Sequence, residues 1–153
     1  MADKQHHYQV KIRWTGNRGN GTSSYTAYDR DSELTAPGKD PVALSADPAF
    51  RGDRQRWNPE ELLLAAASAC HKLWYLHLCA DAGIIVDAYE DNAEGTMVEN
   101  ARGHFTHITL KPHITLRNPS DIERAKQLHH QAHEACFIAN SLNFPVNCEP
   151  VFD

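Results

Sequence analysis

Cysteines stand at positions 70, 79, 136 and 148, and two of them fall where helices are expected. Cys70 lies inside the apolar run that follows Asn58-Pro59-Glu60-Glu61, and Cys136 closes the later stretch His133-Glu134-Ala135-Cys136-Phe137. Two cysteines on two helices, in a chain with no sign of secretion, point to thiol redox chemistry rather than structural stapling. A thiol becomes a good nucleophile when a neighbouring cation stabilises its thiolate, and it stays inert when merely buried. Cys70 is too far from its helix N-terminus for the dipole to help strongly. The cation must come from elsewhere, and the candidates are Arg18, Arg51, Arg54 and Arg56. His71 is adjacent in sequence, but adjacent helical residues point about 100° apart, so it is not expected to be the direct partner. Taken alone, the same pattern also suits a small core cysteine on an apolar helix.

Other chemistry-bearing residues carry weaker signals. His129 and His133 have the i, i+4 spacing that can bind zinc or copper. No third ligand is indicated, so the expectation is a solvated helix face and no metal. Cys79 and Cys148 have no motif around them and read as packing residues. The chain has 10 histidines, of which His6 and His7 fall in a start expected to be mobile.

The elements that must position these residues follow from pattern. Tyr8 to Trp14 alternates as a strand. Gly16 to Gly21 is a turn, and Thr22 to Tyr28, rich in β-branched and aromatic residues, reads as the returning strand of a long-tipped hairpin. From Pro37 to Trp57 prolines and charges give a connection of roughly 20 residues, a length that is uncommon without a role. Asn58 caps a helix with Pro59 in its first position and two glutamates in its first turn. The run Leu62 to Leu78 carries only Lys72 as a formal charge, which predicts a buried central helix ending at Asp81-Ala82-Gly83. Ile84 to Val98 is a strand bent near Asp91-Asn92, and His104 to Leu116 is a second long strand with an edge or bulge at Pro112. A second helix is expected from about Ser120 to Cys136, and a final strand from Val146 to Phe152. The order ββ-loop-α-ββ-α-β is an α+β architecture in a single domain spanning 1–153.

Composition narrows the function classes. A net charge of −5 argues against a nucleic-acid binder, which normally shows a basic face. The start lacks the apolar run of a signal peptide, and no apolar stretch approaches the ~18 residues that cross a membrane. The expectation is a cytoplasmic protein whose four cysteines rest as thiols, with no nucleic-acid or membrane partner.

Asn58-Pro59-Glu60-Glu61-Leu62 running into Ala69-Cys70, with Cys136 on the following helix, resembles the OsmC/Ohr family of organic hydroperoxide reductases. The likeness extends to the hairpin Trp14 to Gly21 and to the order of elements, so it covers nearly the whole chain. It implies further antiparallel strands wrapped around the central helix, and an intertwined homodimer with active sites at the subunit interface. It also implies a peroxidatic cysteine at Cys70, a resolving cysteine at Cys136, and a Glu60 carboxylate paired with an arginine. Arg18 fits the hairpin position of one branch and Arg51 the loop position of the other, with Arg18 slightly preferred. Glu60 and Cys70 are about 15 Å apart along a straight helix at ~1.5 Å per residue. If both act at one site, Glu60 comes from the other subunit or from a bent lead-in segment, which predicts an obligate dimer.

The implied activity is reduction of organic hydroperoxides through a Cys70 sulfenic acid and a Cys70–Cys136 disulfide. A lipoyl-type or other dithiol would restore the thiols, and no cofactor is needed. The alternative is a non-catalytic redox-sensing or small apolar ligand-binding dimer of the same fold. Two positions depart from the family pattern: Phe137 follows Cys136 where proline is usual, and His71 follows Cys70 where an apolar or small residue is usual.

Overall fold

The computed structural model describes residues 2–153. The chain forms two compact units, Met1–Leu62 and Leu63–Asp153.

The first unit carries a three-stranded sheet of β1 (Lys11–Trp14), β2 (Ser32–Thr35) and β3 (Val42–Leu44) in that order. Both pairings are antiparallel, with Ile12 opposite Leu34 and Glu33 opposite Ala43. The returning strand is therefore β2, and Thr22 to Tyr28 forms turns and bends instead. Side chains have taken the backbone groups that a ladder would need. The Arg30 guanidinium donates to the carbonyls of Tyr28 and Tyr25 at 2.6 and 2.7 Å and lies over both rings. Arg18 donates to the Thr26 carbonyl, and the Trp14 indole to that of Asp29 at 2.8 Å. Gly16 permits this fold-back, since a Cβ there would sit 1.9 Å from the Asp29 carbonyl oxygen. The connection from Pro37 to Trp57 is also less irregular than its composition suggests. It supplies β3 and a 3₁₀ turn at Pro48–Phe50, which Asp47 caps through the Ala49 N–H.

Helix α1 (Pro59–Asp81) is a continuous helix of 23 residues. Asn58 and Glu61 close a reciprocal capping box: the Glu61 N–H donates to Asn58 Oδ1 at 2.8 Å, and the Asn58 N–H to Glu61 Oε1 at 3.2 Å. Glu60 thus lies within the helix and not on a bent lead-in. Gly83, at φ +73°, terminates it, with Ile84 donating back to the Cys79 carbonyl at 2.9 Å. The apolar run is longer than the stripe it buries, which is Ala67, His71, Tyr75 and Cys79 at i, i+4 spacing. By length and composition α1 is apolar enough to cross a bilayer, contrary to the expectation that no stretch is. Its buried stripe nevertheless joins the protein's own cores, Tyr75 and Cys79 in one and Ala67 in another.

In the second unit, the two long strands each break in two. β4 (Val86–Asp91) and β5 (Glu94–Val98) share one corner, and β6 (His104–Leu110) and β7 (Pro112–Leu116) share the other. The Asp91 carboxylate holds both corners, accepting the Lys111 N–H at 2.7 Å and the Ser68 hydroxyl at 2.5 Å. The expected final strand is likewise split into β8 (Val146–Cys148) and β9 (Val151–Phe152). Two sheets result, ordered β4-β7-β9 and β5-β6-β8. The β8 and β9 pairings are parallel, an exception to the antiparallel expectation. One core gathers Tyr75, Cys79, Ile114 and Leu128, and another gathers Ala67, Ile108, Leu110 and Val146.

A 3₁₀ turn at Pro119–Asp121 leads into α2 (Ile122–Ala135), which buries Ala125, Leu128, His129 and Ala132. Cys136 is not in this helix. It is extended, at φ −67° and ψ 111°, and caps the short α3 (Phe137–Asn140).

Candidate active site

Cys70 projects from the face of α1 next to the buried stripe. It is half-buried and shares a cleft of about 280 Å³ with Leu73, Trp74, His77 and Phe137. Leu73, Trp74 and His77 follow Cys70 at i+3, i+4 and i+7, so helical spacing alone puts them on its face. Phe137 arrives from α3 and packs edge-on against Trp74, with ring centres 5.5 Å apart. It occupies the position after Cys136 where the family pattern has proline, and it forms one wall of the cleft.

Cys136 is 1 % exposed, and its sulfur accepts the Ala139 N–H at 3.5 Å. Burial pushes its pKa up to about 11; the Ala139 N–H opposes the rise, and the Cys70 thiol adds to it as a hydrogen-bond partner. The fold therefore brings Cys70 near enough to Cys136 to add to that rise, although 66 positions, 136 minus 70, separate them. One is reachable from the cleft, and the other is a buried, protonated thiol behind it.

The remaining expected site residues lie in the first unit. Glu60 is half-buried in the first turn of α1. Arg18 is engaged within its own loop, by the Thr26 carbonyl and by Asp29 at 3.7 Å. Arg51 is exposed, enters no ion pair among the described residues, and is the only described non-glycine residue with positive φ, 65°. Arg56 is committed elsewhere, donating to the Leu44 and Ser32 carbonyls.

A second cluster escaped sequence reasoning. His129 does not lie on a solvated face: it is buried, and its Nδ1 meets Nε2 of His71 at 2.9 Å. Cys148, read as packing, sits 3.7 Å from both nitrogens. Tyr75 stacks on the His129 ring with centres 3.7 Å apart. Burial lowers the His71 pKa to about 4, against the Asp91 carboxylate, and that of His129 to about 3, with His71 adding to the effect. Burial likewise raises Cys148 to about 12, with help from Asp91 and Glu149. The available signal was the stripe Ala67, His71, Tyr75, Cys79, whose spacing marks His71 as inward-facing.

Comparison with known proteins agrees with the fold. The family model described as OsmC-like protein matches residues 52–150. The uncharacterized protein YmaD of Bacillus subtilis is 26 % identical over 147 residues, covering 93 % of this chain and 89 % of its own. An OsmC-like protein of unknown function from Vibrio cholerae superposes with a TM-score of 0.86 at 28 % identity, over 96 % of this chain and 100 % of its own. An organic hydroperoxide resistance protein, OsmC, from Legionella pneumophila has the same fold, with a TM-score of 0.69 at 21 % identity and 99 % of each chain covered.

Proposed function

Because the chain belongs to the OsmC-like protein family, we propose that it is a thiol-dependent peroxidase reducing organic hydroperoxides to alcohols. The observation that carries this reading is the opening of Cys70 onto an apolar cleft, with the buried Cys136 close enough to interact with it. The Cys70 thiolate attacks the distal oxygen of ROOH; the O–O bond breaks, a proton goes to the leaving alkoxide, and ROH departs from a Cys70 sulfenic acid. The Cys136 thiol condenses with that acid, releasing water and forming the disulfide. A dithiol, of lipoyl type or similar, then reduces the disulfide by exchange and is itself oxidised. The cleft walls Leu73, Trp74 and Phe137 favour an alkyl or aryl hydroperoxide over hydrogen peroxide.

The resemblance assigns the activating cation to an arginine. Arg51, exposed and without an ion pair, is the stronger candidate, and Arg18, held by Thr26 and Asp29, is the weaker. Glu60 is assigned as the carboxylate that orients it. Residues 1–153 act as one functional domain in a cytoplasmic homodimer. The exposed apolar side chains of Tyr8, Val10, Ile12 and Trp14 supply surface that a second copy would cover. A fully active monomer in sedimentation would remove the dimer from the proposal.

The test is one equivalent of cumene hydroperoxide added to the reduced chain, followed by intact mass and non-reducing peptide mapping. Rapid loss of both thiol hydrogens with a Cys70–Cys136 link is expected. Unchanged thiols, or oxidation confined to Cys79 or Cys148, would overturn the proposal. The burial of Cys136 favours one second reading, a redox-sensing dimer that is oxidised once. A disulfide that forms but that no dithiol reduces would select it.

A further inference from the structure

His71, His129 and Cys148 come from α1, α2 and the end of β8, at separations of 58 positions between the histidines and 77 between His71 and Cys148. Their donor atoms lie within 4.8 Å of one another. We propose that these three side chains form a metal site for a borderline-soft first-row divalent cation, zinc first, bound by His71 Nε2, His129 Nδ1 and Cys148 Sγ.

The donor–donor distances are close to those such an ion needs. A tetrahedral zinc ~2.0–2.1 Å from each imidazole nitrogen and ~2.3 Å from a thiolate separates nitrogen from nitrogen by about 3.3 Å and nitrogen from sulfur by about 3.6 Å. The two nitrogen–sulfur distances here are 3.7 Å. The nitrogen–nitrogen distance is 2.9 Å, a hydrogen bond, so an ion needs an opening of about 0.4 Å. The ring planes lie within 5° of each other at a centre separation of 5.3 Å. The rings therefore meet edge to edge with the two nitrogens pointing at each other, and a tetrahedral ion beside the sulfur requires each ring to swing by about 35°.

The surroundings suit a cation. Both imidazoles are held neutral by burial, which leaves their lone pairs available. The charge of Asp91 acts on His71 and on Cys148, and it offsets what a dication bound to one thiolate leaves over. Binding through Nδ1 puts the remaining His129 proton on Nε2, a buried atom with no hydrogen-bond partner, a cost that the ion must offset. Loading the ion displaces one proton, from the Cys148 thiol; the imidazole proton moves to the outer nitrogen of its own ring. Three protein ligands leave a fourth position open, as in sites where zinc exchanges or activates a ligand. The site is separate from the Cys70–Cys136 pair and does not depend on the peroxidase reading.

The experiment uses the untagged full chain, with His6 and His7 changed to glutamine to remove the exposed histidine pair. After chelator treatment, Zn²⁺ alone is titrated against a chromophoric competitor. One zinc per chain is expected, and Cys148→Ser or His129→Gln should weaken binding by at least ~100-fold. Cys70→Ser and Cys136→Ser should leave the affinity unchanged. In parallel, Co²⁺ should give a thiolate-to-cobalt charge-transfer band, which needs no buried substitution and so tests Cys148 even if its variant does not fold. Failure of the folded chain to take up stoichiometric zinc, cobalt bound without that band, or affinity lost in Cys70→Ser would overturn the site.

Discussion

Cys70 and His71 are neighbours in sequence, yet the turn of α1 between them separates two environments. Cys70 faces a cleft with exposed Leu73 and Phe137 along its walls. His71, 2 % exposed, faces the interior and meets His129 and Cys148. Each region pairs a group on α1 with a cysteine from a later element, so both are built by the same helix from neighbouring residues that point about 100° apart. The difference is access. A thiol at a cleft can meet a substrate, whereas buried imidazoles are held neutral and can act only on what the fold has already admitted. The lesson is that local sequence names the reactive types, and the face of the helix decides which of them is available.

The largest effect should come from Cys70→Ser, which removes the proposed nucleophile and should lower hydroperoxide consumption by ~10³-fold or more while the interior cluster keeps its stability. A peroxide assay beside a urea melt checks both halves; equal damage to stability would mean the two faces are not independent. A few kcal/mol should follow from pH in the metal-free chain. In the unfolded chain the histidines titrate near 6.5, but folded His71 and His129 take up protons only near 4 and 3. Between those values the unfolded state binds more protons, so stability should be full above 6.5 and fall as pH drops toward 3. Asp91 works against this fall at His71, and His133 works with it. Urea midpoints at stepped pH measure the slope, and His129→Leu should flatten it.

Cys136→Ser should spare the first oxidation and stop the second. Turnover should fall by about 10²-fold while a sulfenic acid accumulates at Cys70, visible by dimedone labelling. Turnover at the original rate would show that an external thiol resolves the intermediate. The smallest effect is expected from Phe137→Ala, which removes one wall of the cleft without touching the interior. It should raise KM for an aryl hydroperoxide several-fold, by about 1 kcal/mol, with little change for a small one. Equal changes for both substrates would mean that Phe137 is not a specificity wall.

Much of the first region was legible in the sequence and little of the second. Asn58-Pro59-Glu60-Glu61 marks the start of α1 because its capping chemistry is local, and the box forms as that pattern implies. Cys70 and Cys136 stood out through their spacing and family likeness. His129 and Cys148 did not, because their meaning lies in contacts 58 and 77 positions away from His71. The parallel pairing of β8 and β9 was hidden for the same reason: register against β6 and β7 is tertiary. Thr22 to Tyr28 has strand propensity, but Arg30 and Arg18 hold its carbonyls in turns, and propensity yields to such anchors. The corner at Asp91 was anticipated as a bend, though not the carboxylate that bridges Ser68 and Lys111.

The Cys136 sulfur also has a mechanical task, since it receives the Ala139 N–H at the start of α3. In the proposed disulfide, a sulfur turned to bond with Cys70 would leave that amide. The Ala139 proton would then lose its acceptor and become open to isotope exchange with solvent. The oxidation state of the proposed thiol pair would thereby be copied into the lifetime of one backbone proton, readable without labelling either cysteine.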